Sequence, residues 1–133
     1  MRIFIDANVI VSGMVFEGNE RKLLAYGVEK KILVTSEHII EEVRRTMEIK
    51  FPQKDKIEEF LSILGIEVIE KKRYSSEIEK HTKVRSRKDR HVLACASVSK
   101  CEYIVTGDKD LLSLGIYISI RIVSAKEFMN KKR

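Results

Sequence analysis

The sequence predicts an α/β fold of three layers, in which helices cover both faces of a central parallel sheet of about five strands. Three observations lead to this prediction. Short β-branched and aromatic runs alternate with segments whose apolar residues recur at helical spacing, a pattern typical of a parallel sheet with helical connections. The chain contains no internal repeat, linker or low-complexity segment. Its 133 residues suit one compact unit, so we predict a single domain over residues 1–133.

The strands are predicted from short runs that are rich in β-branched and aromatic residues. They lie at residues 2–5, 32–35, 66–69, 103–106 and 117–123. The last run is long enough for one strand or two.

The helices are predicted from apolar residues at helical spacing and from residues that start or stop a helix. They cover residues 8–14, 19–30, the segment that Ser36 can cap, a segment that Gly65 ends, residues 88–100, residues 108–114 and a terminal segment after Ser124. Pro52 separates the third helix from the fourth. Residues 71–86 are too polar to assign clearly.

Composition limits the classes of protein to which the chain can belong. Charged residues make up 35% and hydrophobic residues 44%, which is typical of a soluble globular protein. The apolar runs are too short to span a membrane, and the N-terminus lacks a signal peptide, so we expect a cytoplasmic protein. The spacing of Cys95 and Cys101 matches no metal motif and favours free thiols. A net charge of +6 favours polyanionic partners such as nucleic acid.

The aspartates are few and occupy particular places. The chain has fifteen glutamates and five aspartates, and four of the aspartates lie beside predicted strand ends or helix starts. These four are Asp6, Asp89, Asp108 and Asp110. Ordinary surface charge is therefore carried by other residue types.

Four carboxylates are predicted to meet at one edge of the sheet. Asp6 and Asp108 follow strands, and ligand sites in open α/β sheets lie at the carboxyl ends of strands. Asp89 opens a helix on that same side, and Glu42 is under two turns into another. Such a cluster selects a hard cation, Mg²⁺ or Mn²⁺, and ions of this kind assist phosphodiester hydrolysis. An aspartate in these positions is also a common turn or capping residue, so position alone leaves both interpretations open.

Four segments resemble the motifs of PIN-domain proteins. The first motif is similar to R-I-F-I-D-A-N-V-I-V-S-G, with its acidic residue at Asp6, and the second to T-S-E-H-I-I-E-E-V, with Glu42. The third is similar to R-K-D-R-H-V-L-A-C-A, with Asp89, and the fourth to Y-I-V-T-G-D-K-D-L-L, with Asp108 and Asp110. The motifs occur in the expected order over nearly the whole chain. The branch that the chain most resembles contains prokaryotic toxin components of toxin–antitoxin systems, relatives of VapC.

The resemblance implies a five-stranded parallel sheet and Mg²⁺- or Mn²⁺-dependent endonucleolytic cleavage of RNA. It also implies an antitoxin partner and a homodimer. By this analogy the catalytic carboxylates that bind metal are Asp6, Glu42, Asp89 and Asp108. Asp110 would be an accessory metal ligand. Asn8, Ser12 and Thr106 would orient the ligands or water without binding the metal themselves.

The third motif departs from the family pattern, since Ser86 and Arg87 stand where many members have Asp-Pro. One acidic ligand is therefore missing and a cation lies beside the site. The candidates to grip the RNA backbone are Arg85, Arg87, Lys88 and Arg90.

Two alternatives remain beside the nuclease prediction. One is a catalytically weak or inactive PIN-fold protein that binds RNA or a protein partner. The other is a haloacid-dehalogenase-type phosphatase, which would need a second aspartate where Asn8 stands.

Overall fold

The computed structural model describes residues 1–50, 54–82 and 84–131, and these residues form an α/β fold. Within these ranges the sheet has six strands, in the order β3-β2-β1-β4-β6-β5. Their bounds are β1 Ile3–Ile5, β2 Leu33–Ser36, β3 Glu67–Ile69, β4 Tyr103–Val105, β5 Ile116–Tyr117 and β6 Ile120–Val123.

The sheet is mostly parallel. β3, β2, β1, β4 and β6 pair in parallel, and β5 pairs antiparallel with β6. The prediction of about five parallel strands is thus confirmed, and the segment for which one strand or two were predicted contains two, of which β5 forms the antiparallel edge. The antiparallel pair is joined by Ile118 and Ser119, both at positive φ.

The helices agree with the prediction wherever the apolar spacing was clear. Their bounds are α1 Ala7–Val15, α2 Asn19–Lys30, α3 Glu37–Lys50, α4 Lys54–Leu64, α5 Lys71–Tyr74, α6 Arg87–Val98, α7 Lys109–Leu112 and α8 Ala125–Lys131. A 3₁₀ helix covers Ser75–Lys80, in the stretch that the sequence left unassigned. The predicted break at Pro52 lies outside the described residues.

Local capping residues fix several helix ends. The Ser36 hydroxyl accepts a hydrogen bond from the Ile39 N–H at 3.0 Å, as predicted for the start of α3. Ser124 and Glu127 exchange side-chain to backbone hydrogen bonds, as a capping box requires. Gly65 has a φ of 56°, which allows the chain to leave α4.

The direction of the connections places helices on both faces of the sheet. The chain moves outwards from β1 to β2 and β3, then returns past β1 to β4. Because parallel crossovers are right-handed, this reversal puts the intervening helices on the opposite face. Accordingly, α1 to α4 pack with one another, and α6 packs with α5 and the 3₁₀ helix. The reversal opens a crevice at the carboxyl ends of β1 and β4.

The core is apolar and closely packed around the central strands. All three residues of β1 are fully buried, and Leu23 and Leu24 of α2 pack in the same core. A Cβ on Gly13 would lie 2.4 Å from Leu24 Cδ1, so glycine lets α1 approach α2 closely. This packing sets the position of α1, which runs away from the crevice. No described helix combines the length and apolar character needed to cross a bilayer.

Candidate metal centre

The crevice is built around a buried aspartate at the end of β1. The backbone N–H of Asp6 donates to Val105 O of the adjacent strand, which brings Thr106 alongside. Thr106 Oγ1 donates to Asp6 Oδ2 at 2.6 Å, and the Ala7 N–H donates to Asp6 Oδ1 at 2.8 Å. These bonds hold a carboxylate in a place from which most water is excluded.

Thr106 also connects Asp6 to the next carboxylate. Its hydroxyl oxygen accepts a hydrogen bond from the Asp108 N–H at 3.0 Å. Asp108 in turn caps α7, since its Oδ1 accepts from the Asp110 N–H at 2.9 Å. Thr106 therefore orders both Asp6, at the end of β1, and the segment that carries Asp108 and Asp110.

Among the described residues, one group of acidic or thiol or imidazole side chains meets closely enough to hold a metal ion. It consists of Asp89, Asp108 and Asp110, and one carboxylate oxygen from each lies within 4.8 Å of the others. Asp89 is buried, Asp108 is half-buried and Asp110 is exposed. We call this group the aspartate triplet.

The charges in the crevice perturb the carboxyl groups. Burial, and then the charges of Asp108, Asp6 and Asp110, raise the pKa of Asp89 from 3.8 to about 6, against the opposing effect of Lys88. Burial also raises the pKa of Asp6, against the hydrogen bonds from Thr106 and Ala7. Burial and mutual repulsion therefore disfavour the charged forms of these carboxylates. A divalent cation bound by their hard oxygen atoms would offset both effects. The donor set fits Mg²⁺ or Mn²⁺.

Glu42 reaches the same crevice but has a partner within the chain. Its Oε2 lies 3.0 Å from Lys88 Nζ, and the pair bridges α3 and α6. Burial alone would lower the pKa of Lys88, but the hydrogen bond and charge of Glu42 and the charges of Asp6 and Asp108 hold it above its ordinary value. The Lys88 ammonium group thus lies in the crevice, where it interacts with the charges of the predicted metal ligands Asp6 and Asp108 as well as with Glu42.

The residues predicted to support the ligands lie nearby. Asn8 Oδ1 accepts from the Gly107 N–H at 2.9 Å and so ties α1 to the loop after β4. The Cα of Gly107 lies close to this amide, since a Cβ built there would be 3.4 Å from Asn8 Oδ1. Ser12 lines the groove beside Asn8 and is one turn further from the triplet.

The basic residues around Asp89 are engaged to different degrees. Arg87 and Arg90 both pair with Glu79 of the 3₁₀ helix. Arg90 also donates to Val84 O at 2.6 Å. Arg85 is exposed. RNA binding by these residues stays a prediction.

Sequence reasoning missed two partners of the site. Glu79 lies in the polar stretch that has no clear period, and no local pattern connects it with Arg87 and Arg90. Lys88, which is predicted to bind RNA, also contacts Glu42, and that contact was not predicted from the sequence. The position of Lys88 directly before Asp89 was the available signal, because a side chain there starts α6 at the same edge of the sheet.

A family model described as a PIN domain matches residues 2–110. The chain belongs to the PIN-domain family. PIN domains are typically nucleases, and the match includes each of the carboxylates described above.

Solved structures of VapC proteins share this PIN fold. VapC20 of Mycobacterium tuberculosis, described as a sarcin–ricin loop cleaving toxin, is 16% identical, with a TM-score of 0.60 over 90% of this chain and 98% of that one. VapBC2 of Rickettsia felis, solved with a DNA fragment from its promoter, is 15% identical, with a TM-score of 0.61 over 93% of this chain and 98% of that one. No curated protein sequence matches the chain. At this identity the likeness establishes the fold.

Proposed function

We propose that this PIN-domain protein is a divalent-metal-dependent endoribonuclease. The observation that carries the proposal is the aspartate triplet, whose carboxylate oxygens converge within 4.8 Å beside the buried Asp6. Carboxylates with raised pKa values at one sheet edge favour a cation, and a basic chain favours a nucleic-acid substrate.

The metal ligands in this proposal are Asp89, Asp108 and Asp110, with Asp6 adjacent and Glu42 available when Lys88 releases it. When bound, Mg²⁺ or Mn²⁺ supplies Lewis-acid polarisation of the phosphodiester and lowers the pKa of water. The ligand set includes the five carboxylates that the resemblance assigns in this chain, whereas the acidic residue that many members have at the place of Ser86 is absent.

The side chains of the protein have separate tasks in the reaction. Thr106 holds Asp6 and the backbone of Asp108 in fixed positions, so the carboxylates need little rearrangement on substrate binding. Lys88 places a positive charge beside the scissile phosphate. Arg85, Arg87 and Arg90 supply backbone contacts at the rim, which carry affinity rather than sequence preference.

Cleavage of a circular RNA by the purified protein tests this proposal, because only an internal cut can linearise a circle. We expect linear product with Mn²⁺ and none with a chelator. Asp6→Asn is expected to remove cleavage while the circular dichroism spectrum is unchanged. Undiminished cleavage by that variant would falsify the assignment of the carboxylates.

We also propose that the protein is the toxin of a toxin–antitoxin pair and acts in the cytoplasm. Support comes from the likeness of the fold to VapC20, which is described as a toxin, and to VapBC2, which is described as bound to a DNA fragment from its promoter. Expression is then expected to arrest growth, and a co-encoded small protein to relieve the arrest. Normal growth with active protein present would reject the toxin role and leave the nuclease proposal intact. Homodimer formation stays a prediction of the resemblance.

A second candidate is an RNA-binding PIN protein that does not cut. The pairing of Glu42 with Lys88 favours it, as does Ser86 in the place of a common acidic residue. Ser86 instead caps α6, since its hydroxyl accepts from the Asp89 N–H at 3.4 Å. A Mn²⁺ titration separates the two, because the absence of binding at millimolar Mn²⁺ together with retention of intact RNA supports the second candidate.

A further inference from the structure

A groove leads from the carboxylate centre along the surface between α1 and α3. One wall carries Ala7, Val11 and Phe16, and the other carries Glu42, Thr46 and Lys50. The volume is about 360 Å³, within the range of roughly 300 to 1,000 Å³ that small-ligand sites occupy. We call this the α1–α3 groove.

The walls follow from helical periodicity. Glu42, Thr46 and Lys50 are spaced by four residues, so they form one stripe along α3. Eight residues at 1.5 Å per residue place Lys50 about 12 Å from Glu42 along the helix. The groove therefore starts at the Glu42–Lys88 pair and ends at a second cation.

Phe16 stands at the outer end of the groove with 65% of its surface exposed. A single exposed apolar side chain is common on proteins, so exposure alone carries little. Here the ring lies beside a groove that has Lys50 towards one end, the Glu42–Lys88 ion pair at the other, and hydroxyl and amide groups between. An aromatic ring in such surroundings suits a nucleotide, whose base stacks on the ring while its phosphate meets Lys50.

The backbone that carries Phe16 is held in place. The Phe16 N–H donates to Ser12 O at 2.8 Å. Arg21 of α2 donates to Gly13 O and to Met14 O, both at 2.9 Å, and so covers the last turn of α1. A ring presented from a fixed backbone loses little conformational entropy when a base stacks on it.

We infer that the α1–α3 groove binds one nucleotide of single-stranded RNA next to the carboxylate centre, with its base stacked on Phe16 and its phosphate near Lys50. The inference rests on the proposed function, from which RNA is taken as the substrate. A protein partner lying in the groove would also cover Phe16. Lys50 at the outer end and the continuity with the metal centre favour the nucleotide.

The chain contains no tryptophan, which permits a direct test. Phe16→Trp gives a protein whose tryptophan emission comes from the groove alone. The matched control is Ile63→Trp, since Ile63 is 66% exposed on α4 and lies outside the α1–α3 groove. The probes are hexauridylate and hexaadenylate RNA, in a chelator so that the strands stay intact, with binding followed in parallel by fluorescence anisotropy.

We expect RNA to quench the emission of Phe16→Trp with the same midpoint as the anisotropy change and to leave Ile63→Trp unaffected. Phe16→Ala is expected to weaken RNA affinity about tenfold, the effect of losing one stacked base. Lys50→Met is expected to weaken it less and to reduce the salt dependence. Circular dichroism of each variant checks that the exposed substitutions leave the fold unchanged.

The inference is overturned if RNA binds by anisotropy without quenching Phe16→Trp, or if Phe16→Ala binds as wild type does. Absence of RNA binding also overturns it, and quenching by a partner peptide but not by RNA would assign the groove to a protein. Cleavage by the wild type decides the proposed function separately. Cleavage without quenching rejects the groove and keeps the nuclease, whereas quenching without cleavage does the reverse.

Discussion

The two sides of the carboxylate centre differ in how their negative charge is balanced. In the aspartate triplet, three carboxylates face one another, and the pKa of Asp89 is raised to about 6. On the other side, Glu42 has an ammonium partner 3.0 Å away. Carboxylates at the same edge of one sheet are thus prepared for a metal to different extents, and the triplet is the side where a cation gains most.

Removing a member of the triplet is expected to have the largest effect. Asp108→Asn removes the negative charge of one proposed metal ligand. It is expected to lower RNA cleavage about a thousandfold, because a bound metal contributes several kcal/mol of transition-state stabilisation. Single-turnover cleavage with Mn²⁺ measures the loss. Glu102→Gln is the control. Glu102 is exposed and precedes β4, at the end of the strand opposite to the carboxylate centre. Equal losses in both variants would mean that charge, rather than the triplet, matters.

The strain within the triplet predicts an unusual stability effect. The pKa of Asp89 is about 6 in the folded protein and 3.8 ordinarily, so the folded state binds this proton more tightly. The contribution of Asp89 protonation to the free energy of unfolding is therefore present in full below about pH 4 and is lost as the pH rises through about 6. Asp89→Asn is expected to stabilise the metal-free protein at pH 7, by no more than about 3 kcal/mol, which is the full equivalent of the pKa difference.

Urea unfolding in a chelator at pH 5 and pH 7 measures this effect. The advantage of Asp89→Asn is expected to shrink at pH 5, and Mn²⁺ is expected to stabilise the wild type more than the variant. A variant that is less stable than the wild type at pH 7 would show that the carboxylates are not strained.

Thr106 links Asp6 with the triplet, and its removal separates ordering of ligands from stability. Thr106→Val loses the bond to Asp6 and leaves the Asp108 N–H without its acceptor, which costs about 1–3 kcal/mol of unfolding free energy. Mn²⁺ affinity is expected to fall about tenfold, as for other groups that orient ligands.

Thr35→Val is the matched control for Thr106→Val. Thr35 is equally buried, and its hydroxyl donates to Ile5 O at 2.8 Å without touching a carboxylate. Thermal unfolding is expected to show similar losses in the two variants, with Mn²⁺ affinity reduced in Thr106→Val alone. A parallel fall in Mn²⁺ affinity for Thr35→Val would reduce Thr106 to a structural residue.

The smallest effects are expected on the side of Glu42. Glu42→Gln is expected to change Mn²⁺ affinity about twofold, because Lys88 already offsets the charge of Glu42. Lys88→Met removes that cation and is expected to raise Mn²⁺ affinity about tenfold. Lys22→Met makes the same charge change on an exposed position of α2 and serves as control. A large loss of Mn²⁺ binding in Glu42→Gln would place Glu42 with the triplet.

The convergence of the carboxylates could be predicted because it follows from local order. Parallel neighbouring strands must end together, so Asp6 after β1 and Asp108 after β4 lie at one edge. The starts of α3 and α8 were equally predictable, since the hydroxyls of Ser36 and Ser124 bond to amides within the same helical turn.

The pairing within the centre could not be predicted in this way. Contact between Glu42 and Lys88 depends on two long side chains from helices on opposite faces, which no spacing in the sequence encodes. The division of residues 117–123 into one strand or two was left open for another reason, which concerns β5. It has two residues, and its turn uses Ile118 and Ser119 at positive φ, where turn signals are normally glycine or asparagine.

Helix α1 fixes the distance between the carboxylate centre and Phe16 on this surface. Asn8 attaches its first turn to Gly107, Arg21 holds its last carbonyls, and the absence of a side chain on Gly13 seats it against α2. Eight residues separate Asn8 from Phe16, a reach of about 12 Å at helical rise. If a base stacks on Phe16, the bond that is cut lies at a constant distance from that base, so the pattern of cuts in different RNAs would share one offset from a preferred nucleotide.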